Sequence, residues 1–108
     1  DDMLKVSGQY VSPFEVEAAL MAHASVLEAA VIGTHDADKL TRAKAYVVLR
    51  EGIDASDALA DELKAFVKDR LAPFKYPRII EFIGELPKTA TGKIQRFRLR
   101  EHAADAAR

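Results

Sequence analysis

The chain has 108 residues, 49% apolar and 31% charged, with a net charge of −1; this is the size of one small domain with one modest core, and a second full domain is excluded. Without cysteine it has no thiol chemistry, disulfide framework or cysteine zinc site, and because His23, His35 and His102 lack metal-ligand spacing, no metal is expected in this domain. Apolar runs fall far short of the ~20 residues of a membrane helix, and the opening Asp1-Asp2-Met3-Leu4-Lys5 has no secretory apolar region, so a cytoplasmic protein without membrane contact is expected, beginning as though cut from something longer.

Leu4, Lys5 and Val6, then Gln9, Tyr10 and Val11, flank Ser7-Gly8, a pattern for a small two-stranded ribbon. In Ser12-Pro13-Phe14-Glu15 the serine is placed to cap a helix, the proline to take its first position and Glu15 to complete a capping box, with Val11 and Val16 as the hydrophobic staple. Val16, Ala19 and Leu20 give that helix an apolar stripe as far as about His23. Residues 26–33 are short, small and β-branched and read as a buried strand, and 34–42 as a polar loop. Residues 43–50 alternate, Ala43, Ala45, Val47 and Leu49 opposing Lys44, Tyr46, Val48 and Arg50, as in a strand with at least one covered face.

Residues 56–71 place Leu59, Leu63, Phe66, Val67 and Leu71 on one helical face, with Asp54, Ser56 or Asp57 as cap. Pro73 and Pro77 bracket Phe74-Lys75-Tyr76, which is expected to be non-helical. Residues 78–83 read as a third core strand, 85–93 as an exposed loop without apolar periodicity, and 94–102 as a short closing helix. The fold class is therefore α+β: about three core strands and an N-terminal two-stranded ribbon, flanked by helices.

Charge is unevenly divided. Residues 1–62 carry 5 Lys and Arg against 12 Asp and Glu, and residues 63–108 carry 11 against 5. A basic half invites a polyanion, but a nucleic-acid domain is usually basic overall, so no nucleic acid is expected and an anionic small molecule fits better. The loop Leu86-Pro87-Lys88-Thr89-Ala90-Thr91-Gly92-Lys93 has the hydroxyls, glycine and ammonium groups of a phosphate or carboxylate contact. It is not a P-loop, because proline stands at position 87 where the first glycine is required. On composition alone a mobile surface loop, with lysines for solubility, is the plainer reading.

The run Leu-Pro-Lys-Thr-Ala-Thr-Gly-Lys-Ile-Gln-Arg ending at Arg96 resembles the C-terminal signature of the adenylate-forming superfamily of acyl- and aryl-CoA synthetases, carrier-loading adenylation domains and luciferases. The opening Asp1 to Gly8, followed by Val11, Pro13 and Glu15-Val16-Glu17, resembles the hinge motif of the same small domain. Val31-Ile32-Gly33 and Ala45-Tyr46-Val47-Val48 resemble its strands. Leu71-Ala72-Pro73-Phe74-Lys75-Tyr76-Pro77-Arg78 with Ile80-Glu81-Phe82 is most similar to CoA ligases, the benzoate-CoA ligases especially.

The resemblance implies that residues 1–108 are the C-terminal lid of an AMP-forming ligase, with the hinge at its N-terminal edge and its own large N-terminal domain as chief partner. Alone, this portion is expected to be inactive. ATP and CoA are implied as co-substrates, with Mg2+ accompanying ATP in the whole enzyme. Lys93 matches the lysine that serves adenylate formation, where an ammonium neutralises charge between a carboxylate and a phosphate. Gly92 permits close backbone approach, and Thr91 or Thr89 either holds the loop or is a passive turn residue. After a domain rotation about Asp1, the Ser7-Gly8-Gln9 loop would line the CoA thiol tunnel, where a residue without a side chain suits the constriction; a merely turn-forming Gly8 is the plainer reading.

Phe74 is a candidate to stack on adenine or else a core residue, and Lys68, Lys75 and Arg78 are candidates for the CoA phosphates, Lys68 being otherwise a plain surface charge. Some relatives have a basic residue beside the glycine loop where this chain has Gln9 and Tyr10. A lysine acetyltransferase and deacetylase acting on Lys93 are further implied partners. The alternatives are an adenylation domain that loads a carrier protein and, in another class, a non-catalytic polyanion-binding module.

Overall fold

The computed structural model describes residues 3–6, 8–35 and 40–106. Strands β1 (Leu4–Val6) and β2 (Gln9–Val11) pair antiparallel across the tight Gly8 turn, Val6 opposite Gln9. Helix α1 (Pro13–Met21) begins where Ser12-Pro13 sets it, since proline is tolerated at the first helical position. The expected capping box does not form. Ser12 makes no side-chain cap bond, and Glu15 instead accepts from the Lys75 ammonium at 3.1 Å through both oxygens. The helix ends at Met21 rather than His23.

Strands β3 (Val26–His35) and β4 (Thr41–Leu49) form a long antiparallel hairpin, so Thr34, His35, Thr41 and Arg42 belong to strands, not to the expected loop. Polarity misled there: Thr34 and Arg42 stand opposite one another in the ladder, where backbone pairing does not require apolar side chains. Helix α2 (Asp57–Arg70) follows, capped by Ser56, whose Oγ accepts from the Leu59 N–H at 3.0 Å. Pro73–Lys75 form one 3-10 turn, correcting the non-helical expectation. Proline bars the residue before it from the helical region but its own fixed φ suits a helical first position; Ala72 and Tyr76 are indeed extended, while Pro73 to Lys75 between them turn. Strand β5 (Ile79–Phe82) runs parallel to β4 at the edge of a sheet ordered β3-β4-β5, and α3 (Arg96–Ala106) closes the chain.

The central strand β4 is covered on both faces. Ala43, Ala45 and Val47 point into one core with Val11, Val16, Leu20, Leu63 and Val67, under α1 and α2. Tyr46 and Val48 point into a second core with Ala30, Ile32, Leu86 and Leu99, under α3. Alternation along a strand thus gives one sheet two independently packed sides. Phe66, expected in the core, is only half-buried; its ring lies edge-on to His23 at 4.9 Å and beneath Arg70 at 4.2 Å.

A polar network fastens α3 to the sheet. Lys44, 8% exposed as a residue, donates its ammonium to Glu81 at 3.0 Å, and the other Glu81 oxygen meets His102 of α3 at 3.1 Å. Burial alone would raise the Glu81 pKa, but hydrogen bonds and charge from Lys44 and His102 outweigh it and hold the carboxyl below its ordinary value. Burial likewise acts to lower Lys44, and its bonds to Glu81 and Tyr46 prevail and raise it.

A lowered carboxyl contributes stability above its unfolded pKa and loses it as pH falls through the folded one; a raised lysine contributes below its unfolded pKa and loses it as pH rises through the folded one. Stability from this pair is therefore full between the carboxylate and lysine ranges and declines at both ends. Urea unfolding against pH is expected to show Glu81→Gln less stable at neutrality, by about 1 kcal/mol or less because the pair is partly screened, and converging on the unmodified chain at acid pH. A constant difference at every pH would contradict it.

Candidate active-site surface

Residues 86–96 are not a featureless loop. Leu86 is buried in the second core at 4% exposure, and Ile94 packs against the same core. Between them the chain folds back on itself. Lys88 bridges Ile94, Gln95 N–H donates to the Pro87 carbonyl at 2.8 Å, and Thr89 N–H donates to the Lys93 carbonyl at 2.8 Å. Gly92 takes a φ of +89°, a backbone conformation costly for any residue with a side chain, and its N–H closes the turn on the Thr89 carbonyl at 2.9 Å. The Thr89 hydroxyl accepts from the Lys93 N–H at 3.1 Å and lies 3.0 Å from the Thr91 hydroxyl. Both threonines are thus bonded within the turn.

Lys93 stands at the exposed end of this hairpin, and no carboxylate among the described residues pairs with its ammonium. Its neighbours differ in this respect. Lys88 is ion-paired with Glu28 of β3, and Arg96 with Glu17 of α1. The hairpin therefore has both limbs tied to the body and one uncompensated cation at its tip, which is what attraction of an external anion needs.

A second feature lies on the other side of the sheet. A groove of about 290 Å³ is lined by Val6, Ala43, Lys68, Phe74, Tyr76 and Arg78, with Arg42 adding a further cation. Val6 and Ala43 belong to the first core, and Tyr76 packs against it, whereas Leu86 and Ile94 of the lysine hairpin pack on the second. The Lys68 ammonium lies 4.9 Å above the Tyr76 ring and the Arg78 guanidinium 5.9 Å from it. Neither is ion-paired to a described residue. Phe74 is 36% exposed at the groove rim and so is not a core residue.

Of the candidates read from sequence, Lys68, Phe74 and Arg78 are brought together here. Lys75 does not line the groove; its ammonium lies 5.8 Å from the Phe74 ring but is held in an ion pair by Glu15. Gly8, at a φ of +80°, and Gln9 are exposed in the ribbon turn and do not line the groove. Asp1 and Ser7 lie outside the described residues. Sequence reading missed Glu17, Arg96, Glu28 and Tyr76. Glu17 left one trace, a carboxylate inside the α1 apolar stripe, next to Val16 and three residues before Leu20.

Among the described residues no group of three or more His, Asp or Glu could hold a metal ion, and no helix is long and apolar enough to cross a membrane.

A family model described as the AMP-binding enzyme C-terminal domain matches residues 15–93. The benzoate-CoA ligase of Thauera aromatica is 66% identical over 100 residues, 93% of this chain and 19% of that protein. Among solved structures, a benzoate CoA ligase from Burkholderia xenovorans LB400 superposes with a TM-score of 0.84 at 62% identity, over 93% of this chain and 19% of that one. The anthranilate CoA ligase AuaEII, solved with anthranoyl-AMP, gives a TM-score of 0.93 at 50% identity, over 100% of this chain and 21% of that one. The chain thus spans about a fifth of the length of the proteins it matches.

Proposed function

Because this chain belongs to the AMP-binding enzyme C-terminal domain family, we propose that residues 1–108 are the moving lid of an AMP-forming aryl-CoA ligase acting on benzoate or a related acid. The observation that carries this reading is the placement of two cationic features on opposite sides of one sheet, each suited to a different half-reaction.

In the first half-reaction the acid's carboxylate attacks the α-phosphorus of ATP and pyrophosphate leaves. Two anions must meet, and the Lys93 ammonium, fixed on a pre-formed hairpin, neutralises charge that repels at the start and spreads in the transition state. In the second, the lid turns its other face inward. The CoA thiol attacks the acyl carbon and AMP leaves, while the Ser7-Gly8-Gln9 turn borders the thiol's path and the groove takes the CoA nucleotide. Phe74 offers a stacking face, and Lys68 and Arg78 offer charge-assisted bonds to phosphate. Pockets for ATP with its Mg2+ and for the acid belong to the rest of the ligase, the lid's principal partner. A groove with at least two cations favours free CoA, whose nucleotide carries three phosphate groups, over a carrier-bound pantetheine.

In the full-length ligase, Lys68→Ala and Arg78→Ala are each expected to raise KM for CoA about tenfold, the loss of one charge-assisted bond, with pyrophosphate exchange unchanged. Steady-state kinetics at varied CoA measures this. An unaltered KM for CoA in both variants would remove the groove from the reaction.

A further inference from the structure

Glu17 is the one carboxylate among the described residues that is buried, at 5% exposure. It sits on α1 against the edge of the sheet, where its Oε2 accepts the Val31 N–H of β3 at 2.7 Å. Both of its oxygens also accept from Arg96, Nε at 3.1 Å and a terminal nitrogen at 2.6 and 2.7 Å. The guanidinium lies 4.8 Å over the Phe14 ring. One side chain of α3 is thereby locked to an aromatic face and to a helix carboxylate that is itself bonded to the edge strand. A buried pair of this kind is a poor source of stability, because desolvation offsets attraction, but the bidentate fork fixes position and angle.

Arg96 begins α3, three residues beyond Lys93, and the residues between have little freedom. Ile94 bridges Lys88 and packs on the second core, and Gln95 is bonded to Pro87. We propose that the Glu17–Arg96 pair is a positioning device for the lysine hairpin. It sets where Lys93 stands relative to the sheet, and Arg96 touches no substrate. This rests on the reading above that Lys93 serves adenylate formation.

The test uses the full-length ligase with benzoate, ATP and separately supplied benzoyl-adenylate. Displacement of a reacting group by about 1 Å costs roughly 10²-fold, so Arg96→Gln and Glu17→Gln are each expected to lower kcat for adenylate formation by about 30- to 100-fold. KM for benzoate and ATP, and thioester formation from supplied adenylate, are expected to stay within about threefold. Since the two residues act as one unit, Glu17→Gln with Arg96→Gln is expected to be no slower than the worse single variant. Arg96→Lys, which keeps the charge without the fork, is expected to remain impaired.

If Arg96→Gln strands a buried charge and does not fold, the double variant, which carries none, is the one read. Adenylation within threefold of the unmodified enzyme, or a parallel fall in both half-reactions, overturns the proposal. Lys93→Ala is measured alongside. If it too adenylates normally, the functional reading has failed and takes this inference with it; if it is inactive while the Arg96 and Glu17 variants are active, only this inference fails.

Discussion

Lys93→Ala in the full-length ligase is expected to lower acyl-adenylate formation by about 10³-fold or more, on the scale of removing a positioned charge from phosphoryl or acyl transfer. The expectation follows from the hairpin's construction. The cations on either side of it in the hairpin are already matched, Lys88 by Glu28 and Arg96 by Glu17, so neither is free to substitute. The turn is built before substrate arrives, with Thr89 bonded to Lys93 through both its backbone and its hydroxyl, so little is lost to ordering when the lid closes. Acetylation of Lys93 removes the charge and adds bulk at the same point, and is expected to reproduce the loss. Exchange of labelled pyrophosphate into ATP measures both. Unmodified exchange in either form would exclude Lys93 from the step.

Gly8→Leu is expected to spare pyrophosphate exchange within about threefold and to lower thioester formation by roughly 10²-fold, as misplacement of a reacting thiol does. Among the described residues nothing lies within 4 Å of where a Cβ at Gly8 would stand, so the obstruction is expected only when the turn faces the rest of the ligase. The φ of +80° adds a separate cost, about 1–2 kcal/mol for an ordinary residue. Gly8→Asn separates the two effects, because asparagine tolerates that conformation. A tunnel role predicts that Asn still slows thioester formation. Full recovery with Asn would leave Gly8 as a turn residue.

Much of this architecture is legible in the sequence where chemistry is local. Pro13 marks the start of α1, and Ser56, one of three cap candidates, caps α2. What escapes is set by distant partners. Glu15 looked like half of a capping box, but Lys75, 60 residues away, takes it. The Tyr46 and Val48 side of β4 needed α3 to cover it, and nothing near position 46 announces a helix 50 residues on. Residues 85–93 read as an exposed loop because one leucine makes no period, yet Leu86 anchors the hairpin. Arg96 sat in plain view beside Lys93, and its meaning depended on Glu17, 79 residues earlier. Local propensity finds the elements, and the long-range ion pairs that aim them appear only in three dimensions.

The central claim is that one lid serves two half-reactions with two faces, and it is tested most directly by giving Lys93→Ala the intermediate it cannot make. The measurement is the single-turnover rate of benzoyl-CoA formation from supplied benzoyl-adenylate and CoA by the full-length variant, with folding checked by circular dichroism. A residue needed only for the first transition state becomes dispensable once that step is bypassed, so the predicted rate lies within about threefold of the unmodified enzyme. A rate reduced as severely as adenylation itself would contradict the account.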